Sequence, residues 1–429
     1  MMRILAIVLA ILCATQVWLE GAYWQWIPIA MLLGLGLLSE TRHVRGQRLR
    51  RAVVGTLVAC SLLLYLACSI FLPVPVLPLP SGRYAVGTSV HRWTVPTRDE
   101  PSTEMGADRR GIVVQAWYPA LADANAPRAP YLDGLGRLPE RVAGLPRVLM
   151  RQYDRIDTHA VRDAAVNTDV AHWPVVLFSP GYGATRSFYT SLLTDLASRG
   201  VIVLAIDHPY EAAVTELDDG RIVTPVERFL PTDPDRTTYM ARQTDVRIAD
   251  LRDVLDAIGS PSRFGALTEH LTREGIVAAG HSFGGAASVA LAATDARVSA
   301  AVNIDGTMYG ATPDHSLQQP FLLIESDHDE TQHGRLFLEG HARLLAHARG
   351  PTHRCQLERA NHYSFTDAPL LLSSPWRWLA SVIVGGSLGV KETVRITNDL
   401  LMTLVPPDGR GLRASGADES LERARCTAR

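Results

Sequence analysis

Apolar residues crowd the beginning of this chain and then thin out, and that contrast predicts two regions of different kind. Ile4 to Leu19 is apolar except at Thr15 and Gln16, Tyr23 to Leu38 forms a second run, and Ala52 to Leu72 a third. The third has the roughly 20 residues needed to cross a hydrocarbon core of about 30 Å, while the first two lie near the short limit. Trp18, Tyr23, Trp24 and Trp26 cluster between the first two runs, as amphipathic rings do at headgroup depth. Arg42, Arg45, Arg48, Arg50 and Arg51 fill the next loop, whereas the first connection carries Glu20 and no Lys or Arg. Basic loops stay cytoplasmic, so residues 1–72 read as a three-helix, multi-pass anchor in a bacterial inner membrane. Everything after Leu72 is then expected outside the cytoplasm. A cleaved signal peptide over residues 1–19 is the competing reading; the renewed apolar run from Tyr23 speaks against it.

Pro73, Pro75, Pro78 and Pro80 predict an extended linker over residues 73–80, rising about 3.1 Å per residue as a semi-rigid spacer. Beyond Ser81 short β-branched runs alternate with longer helical patterns, the signature of a mostly parallel central sheet flanked by helices. Strands are expected at Ile112 to Trp117, Val175 to Ser179, Val201 to Ile206, Ile276 to Ala279, Ala300 to Ile304, Phe321 to Glu325 and His353 to Leu357. Helices are expected over Phe188 to Ser198 and along the apolar face of Ile248, Leu251, Leu255 and Ile258. Glu211 to Thr238 reads as an irregular polar excursion with a tight turn at Asp218-Asp219-Gly220, placed where such folds commonly build a lid. The catalytic domain is expected over residues 81–405, and the polar tail 406–429 is expected to be disordered.

Composition narrows the partners. Among 429 residues the formal net charge is −2, and no basic stripe interleaved with aromatics is present, so nucleic acid is not an expected partner. Five cysteines are too few for a disulfide framework. Only Cys355 and Cys426 lie in the polar part; a bridge between them and two free thiols are both open. The sequence is silent on oligomeric state.

Gly280-His281-Ser282-Phe283-Gly284 falls between the strand Ile276–Ala279 and the helix-forming run from Ala286 to Leu291. A sharp strand-to-helix turn lifts the serine above the sheet and requires tiny residues two before and two after it. Ser282 is therefore the expected nucleophile, and the α/β-hydrolase fold the expected architecture. A hydroxyl needs a base, and in this fold the order is Ser, acid, His. His362 follows the last expected strand and is the expected base, whereas His341 and His347 sit in a helical pattern and read as surface residues. For the acid, Asp305 at the end of one strand and Asp327 or Asp329 after the next are equally placed. Asp327-His328-Asp329 with His333 nearby also admits a metal, although a solvated loop is the simpler reading. Phe283 and Tyr182 are expected to supply the oxyanion-hole N–H groups, the second from Pro180-Gly181-Tyr182-Gly183. This chemistry calls for no cofactor.

The same residues resemble the plasma-type (lipoprotein-associated) platelet-activating factor acetylhydrolases and their bacterial relatives. Gly82-Arg83-Tyr84-Ala85-Val86-Gly87 and Val114-Gln115-Ala116-Trp117-Tyr118-Pro119 resemble the family's opening strands, and Val175 to Gly183 its oxyanion loop. Gly280-His281-Ser282-Phe283-Gly284-Gly285 matches its nucleophile turn, and Asn361-His362-Tyr363-Ser364-Phe365-Thr366-Asp367 its histidine loop. Asn303-Ile304-Asp305-Gly306 resembles the segment bearing the family's acid, so the resemblance points to Asp305. It also implies calcium-independent hydrolysis of short or oxidised acyl esters, including the sn-2 acetyl group of a phospholipid. Pro180 departs from the family's usual histidine. A polyesterase, cutinase-like or general carboxylesterase activity is the alternative within enzymes. A non-catalytic envelope-binding module is the alternative outside them.

Overall fold

A computed structural model describes residues 2–21, 29–34, 47–71, 73–104, 106–123, 126–132, 151–226, 234–310, 316–405 and 424–428. Tyr23, Trp24, Trp26, Arg42 and Arg45 of the expected membrane end lie outside these residues, as do 227–233 of the expected lid and 406–423 of the tail.

The N-terminal apolar runs become helices α1 (Met2–Glu20) and α2 (Gln47–Phe71), with residues 29–34 also helical. Leu9 of α1 and Tyr65 and Cys68 of α2 pack together with Ile29 and Leu33. Among the described residues one helix, Ala52–Ile70, is long and apolar enough to cross a membrane; the apolar stretch of α1, Ile7–Leu19, is shorter. The proline-rich segment does not stand off as a free spacer. Leu77 is buried in the main core, and its carbonyl accepts from the His159 ring at 3.2 Å.

The central sheet uses β1 (Ala85–Asp99), β2 (Arg109–Ala120), β3 (Ala160–Arg162), β4 (Val175–Ser179), β5 (Ile202–Asp207), β8 (Ile276–His281), β9 (Val298–Ile304), β10 (Phe321–Glu325), β11 (Thr352–Gln356) and β12 (Cys426–Ala428). Strands β6 (Thr215–Glu216) and β7 (Ile222–Val223) form a separate hairpin. The sheet order is β12-β11-β10-β9-β8-β4-β5-β2-β1-β3. From β5 to β11 all neighbours are parallel, while β1, β2 and β12 add antiparallel pairs at the two sides. Parallel strands require covering on both faces. Helices α3 (Thr190–Ser198), α4 (Arg236–Ala257), α5 (Phe283–Ala292), α6 (Arg335–His347), α7 (Ser374–Val384) and α8 (Val390–Met402) follow in chain order. Two apolar cores result, one sharing side chains of α3 and α8, the other those of α4 and α5.

The chain runs from β4 out to β5 on one side and returns to β8 on the other. The ends of β4 and β8 are thereby set side by side, with Ser179 paired to Gly280. Ligand sites in such sheets form outside the carboxyl ends at this reversal of strand order.

Three expectations need correction. The excursion from Glu211 does contain the turn, with Leu217 accepting from Gly220 at 3.1 Å. Its hairpin, however, docks on the first two strands, where Leu217 meets Val113 and Thr94 bonds Asp218 at 2.8 Å. The hairpin is thus pinned to the sheet and does not read as a lid, and the excursion's last residues open α4 from Arg236. His341 is buried and not a surface residue, its Nε2 donating to Gly306 O at 2.9 Å. The described residues of the tail, 424–428, include a strand. Cys426 pairs with Cys355 across an antiparallel edge, and a disulfide joins them.

Candidate active site

The turn from β8 into α5 packs tightly against the end of β4. A Cβ on Gly284 would lie 1.9 Å from the Ser179 carbonyl oxygen, and one on Gly280 would lie 2.3 Å from the Gly284 carbonyl carbon. Backbone cannot yield that much, so neither position admits a side chain. Between them Ser282 holds φ 54° and ψ −126°, a region costly for a residue with a Cβ. Its N–H donates to Ile304 O at 2.7 Å, and its carbonyl receives Gly285 N at 3.0 Å. The neighbouring strand and the new helix therefore hold the strained residue from both sides.

His362 opens the short helical turn after β11, with Nε2 3.1 Å from Ser282 Oγ. Its Nδ1 lies 2.7 Å from Asp305 Oδ2. Asp305 leaves β9 with φ 54° and is buried. Beyond His362 it receives the Ser326 N–H and hydroxyl, both at 2.8 Å, and His333 Nε2 at 2.9 Å. Burial alone would raise its pKa; the hydrogen bonds from His333 and His362 outweigh that and hold the carboxyl well below the usual range. The structure thus brings Ser282, His362 and Asp305 together. Asp327 faces elsewhere: its oxygens receive Asp329 N at 3.0 Å and Arg359 N at 2.8 Å. Asp329 is exposed. Among the described residues no group of three or more His, Cys, Asp or Glu side chains is arranged to hold a metal.

Tyr182 lies in the loop after β4, where a Cβ on the adjacent Gly181 would sit 3.2 Å from Ser282 Cβ. Phe283 is the first residue of α5, where an N–H has no acceptor within the helix. Tyr182, Phe283, Tyr239 and Tyr309 form an edge-to-face aromatic cluster with centroid separations of 5.7 to 6.3 Å.

Sequence reasoning did not identify three further groups. His281 is only the variable residue of the motif, yet its Nε2 donates to His362 O at 2.9 Å. Its Nδ1 accepts from the Tyr189 hydroxyl at 2.9 Å, and that hydroxyl accepts Gly181 N–H at 2.9 Å. Burial, then the nearby His362, lowers the His281 pKa to about 3, so the ring stays neutral and its two bonds keep their direction. His333, read before only as a metal neighbour, stacks on Phe337 at 3.9 Å and braces the acid. Arg247 sits buried beneath the loop of Tyr182. Spacing along the chain carries no signal for any of these contacts.

The profile described as platelet-activating factor acetylhydrolase, isoform II, matches residues 74–219, and that of the alpha/beta hydrolase family matches residues 175–412. A probable 1-alkyl-2-acetylglycerophosphocholine esterase of Arthroderma benhamiae is 29% identical over 47% of this chain and 50% of its own length. The platelet-activating factor acetylhydrolase of Bos taurus is 22% identical over 57% of this chain and 62% of its own. The chain therefore spans about half to three-fifths of the length of these curated relatives. The solved ferulic acid esterase of Streptomyces cinnamoneus superposes with a TM-score of 0.66 at 28% identity, covering 83% of this chain and 99% of its own.

Asp367 ties the histidine loop to α3. It is fully buried, receives the Tyr131 hydroxyl at 3.2 Å and Ser191 N–H at 3.3 Å, and burial pushes its carboxyl up to about 7. A raised folded-state pKa means stability that is complete below the ordinary value of 3.8 and lost as pH rises towards about 7. Asp367→Asn should remove that loss. Denaturant midpoints across this window should move in the variant's favour as pH rises; a constant difference would contradict the assignment.

Proposed function

The chain belongs to the alpha/beta hydrolase family, and we propose that it is a membrane-anchored serine carboxylic-ester hydrolase. The observation that carries this reading is the unbroken path from Ser282 Oγ to His362 Nε2 at 3.1 Å and from His362 Nδ1 to Asp305 at 2.7 Å. In this scheme His362 takes the Ser282 proton as the hydroxyl attacks the ester carbonyl. The Phe283 and Tyr182 N–H groups receive the oxyanion, His362 protonates the leaving alcohol, and water repeats the sequence on the acyl-enzyme. Asp305 sets the imidazole tautomer and stabilises its protonated form.

Short or oxidised acyl esters, including the sn-2 acetyl group of a phospholipid, are the proposed substrates. The match over residues 74–219 and the names of the curated relatives support this. A polyesterase, cutinase-like or general carboxylesterase activity is the second reading. The ferulic acid esterase likeness and the aromatic cluster around Tyr182 favour it.

In this reading the catalytic domain lies outside the cytoplasm, behind three crossings. Exposed Ile4, Ile7, Ile11, Val53 and Leu63 on α1 and α2 suit a lipid surround. At the end of the span, Ser69 O accepts from Ser373 at 2.6 Å and Ser69 Oγ from Trp376 at 2.8 Å. That contact, together with exposed Trp378, Val382 and Ile383 on α7, supports the reading that α7 lies against the membrane surface.

Four measurements test these statements. A fluorophosphonate probe should label wild type at Ser282; folded protein that does not react ends the esterase reading. Asp305→Asn should lower kcat by about 10⁴-fold, the scale for a triad acid, while Asp327→Asn leaves it near wild type. Turnover of a panel from acetyl to long-chain and aromatic esters should peak on short acyl chains carried by phospholipid; a maximum on hydroxycinnamoyl or polymeric esters would favour the second reading. A reporter fused after Val405 should be active outside the cytoplasm, and a cytoplasmic signal would reverse the orientation.

A further inference from the structure

Arg247 is a buried cation that the proposed chemistry does not use, and all of its hydrogen-bonding capacity is committed. A guanidinium has five N–H donors in a fixed fork. Nε donates to Glu211 Oε2 at 3.1 Å and Nη1 to Ser179 Oγ and Pro180 O at 3.0 and 2.5 Å. Nη2 donates to Gly181 O at 3.3 Å and to Glu211 Oε1. Glu211 suffices to neutralise the charge. The remaining donors hold Ser179 and the carbonyls of two consecutive peptides that lead directly to Tyr182.

Those peptides are the ones whose direction matters. In a trans peptide the C=O and N–H point opposite ways. Anchoring Gly181 O on the guanidinium therefore turns Tyr182 N–H, the other end of the same plane, away from α4. The preceding plane is held at both ends, with Pro180 O on Arg247 and Gly181 N–H on the Tyr189 hydroxyl at 2.9 Å. Pro180 has no N–H of its own to stabilise the loop. The same guanidinium carbon lies 4.5 Å from the centroid of the Phe283 ring, a favourable cation–π distance, and so steadies the residue that bears the other donor. A cation on the carbonyl also polarises the amide and strengthens its N–H as a donor.

We propose that Arg247 is a positioning residue of the oxyanion hole, aiming the Tyr182 N–H through the Gly181–Tyr182 peptide and bracing Phe283 through its ring. This rests on the serine-esterase reading. The test uses the full chain in detergent, with p-nitrophenyl acetate and the matching thionoester as substrates. Arg247→Met should lower kcat about 10²-fold, the scale of one lost oxyanion donor, with KM within about twofold. Its preference for the oxygen ester over the thionoester should shrink, because thiocarbonyl sulfur gains less from those N–H groups. Arg247→Lys keeps the charge but cannot span Glu211 and both carbonyls, so it should fall between wild type and Arg247→Met on both measures. Where Arg247→Met loses its cooperative melt, Arg247→Lys decides alone. A folded variant with wild-type kcat, or with lowered kcat and an unchanged oxygen-to-sulfur preference, overturns the proposal. Fluorophosphonate labelling separates the two failures. Unreactive wild type removes the esterase reading; reactive wild type with equally active variants removes only the role of Arg247.

Discussion

The contact between the turn at Ser282 and the end of β4 governs the arrangement around it. Gly284 lies so close to the Ser179 carbonyl that a single added carbon would fall 1.9 Å from its oxygen. That approach brings α5 against the end of the sheet and obliges Ser282 to adopt φ 54°. It also sets the loop after β4 beside the serine, since β4 and β8 are neighbours and Ser179 pairs with Gly280. Nucleophile and loop are therefore positioned by one packing event. Local strain persists only where its surroundings over-determine it, and here β9 and α5 both bond the Ser282 backbone.

The site then depends on buried polar groups whose partners are nearly complete. Asp305 receives four hydrogen bonds, two from histidines and two from Ser326. Buried charge is costly unless paired and hydrogen-bonded, so this density keeps the carboxylate ionised and its direction constant. His281 extends the same principle across the turn by linking the histidine loop to Tyr189 and hence to Gly181. On the other side, Ser179 Oγ meets His208 Nε2 at 3.0 Å, and His208 Nδ1 meets Asp250 at 2.8 Å. Arg110 completes that chain with bonds of 2.6 and 2.9 Å to Asp250. The polar interior thus connects β2, α4 and the end of β4.

The two ends of the chain attach to the domain in different ways. Near its start, α2 reaches α7 through Ser69, and the segment that follows lays Leu77 into the core. Near its finish, β12 adds an antiparallel edge and the Cys355–Cys426 bridge holds it there. Both attachments join residues distant in sequence. The proline-rich composition of the first segment carries no trace of its docking, whereas the second left a bridge between Cys355 and Cys426 open in the sequence.

Periodicity and local sterics made much of the protein legible before any fold was seen. Seven strands were located within a few residues, because each is a short buried run bounded by turns, and the Ser282 turn was recognised because only glycine fits at 280 and 284. The sequence order of the fold led to His362. What it left open was the partner of that histidine, since Asp305, Asp327 and Asp329 all follow strand ends. The bonding of His362 to Asp305 emerges only when β9 and β11 take their places on either side of β10. The same holds for His341, whose helical pattern suggested exposure but whose buried ring donates to Gly306 O. Arg247, His281 and His333 act through hydrogen bonds spanning 28 to 92 residues. Spacing along the chain encodes which face a residue presents, whereas hydrogen bonds between distant elements exist only once the tertiary fold brings their atoms together.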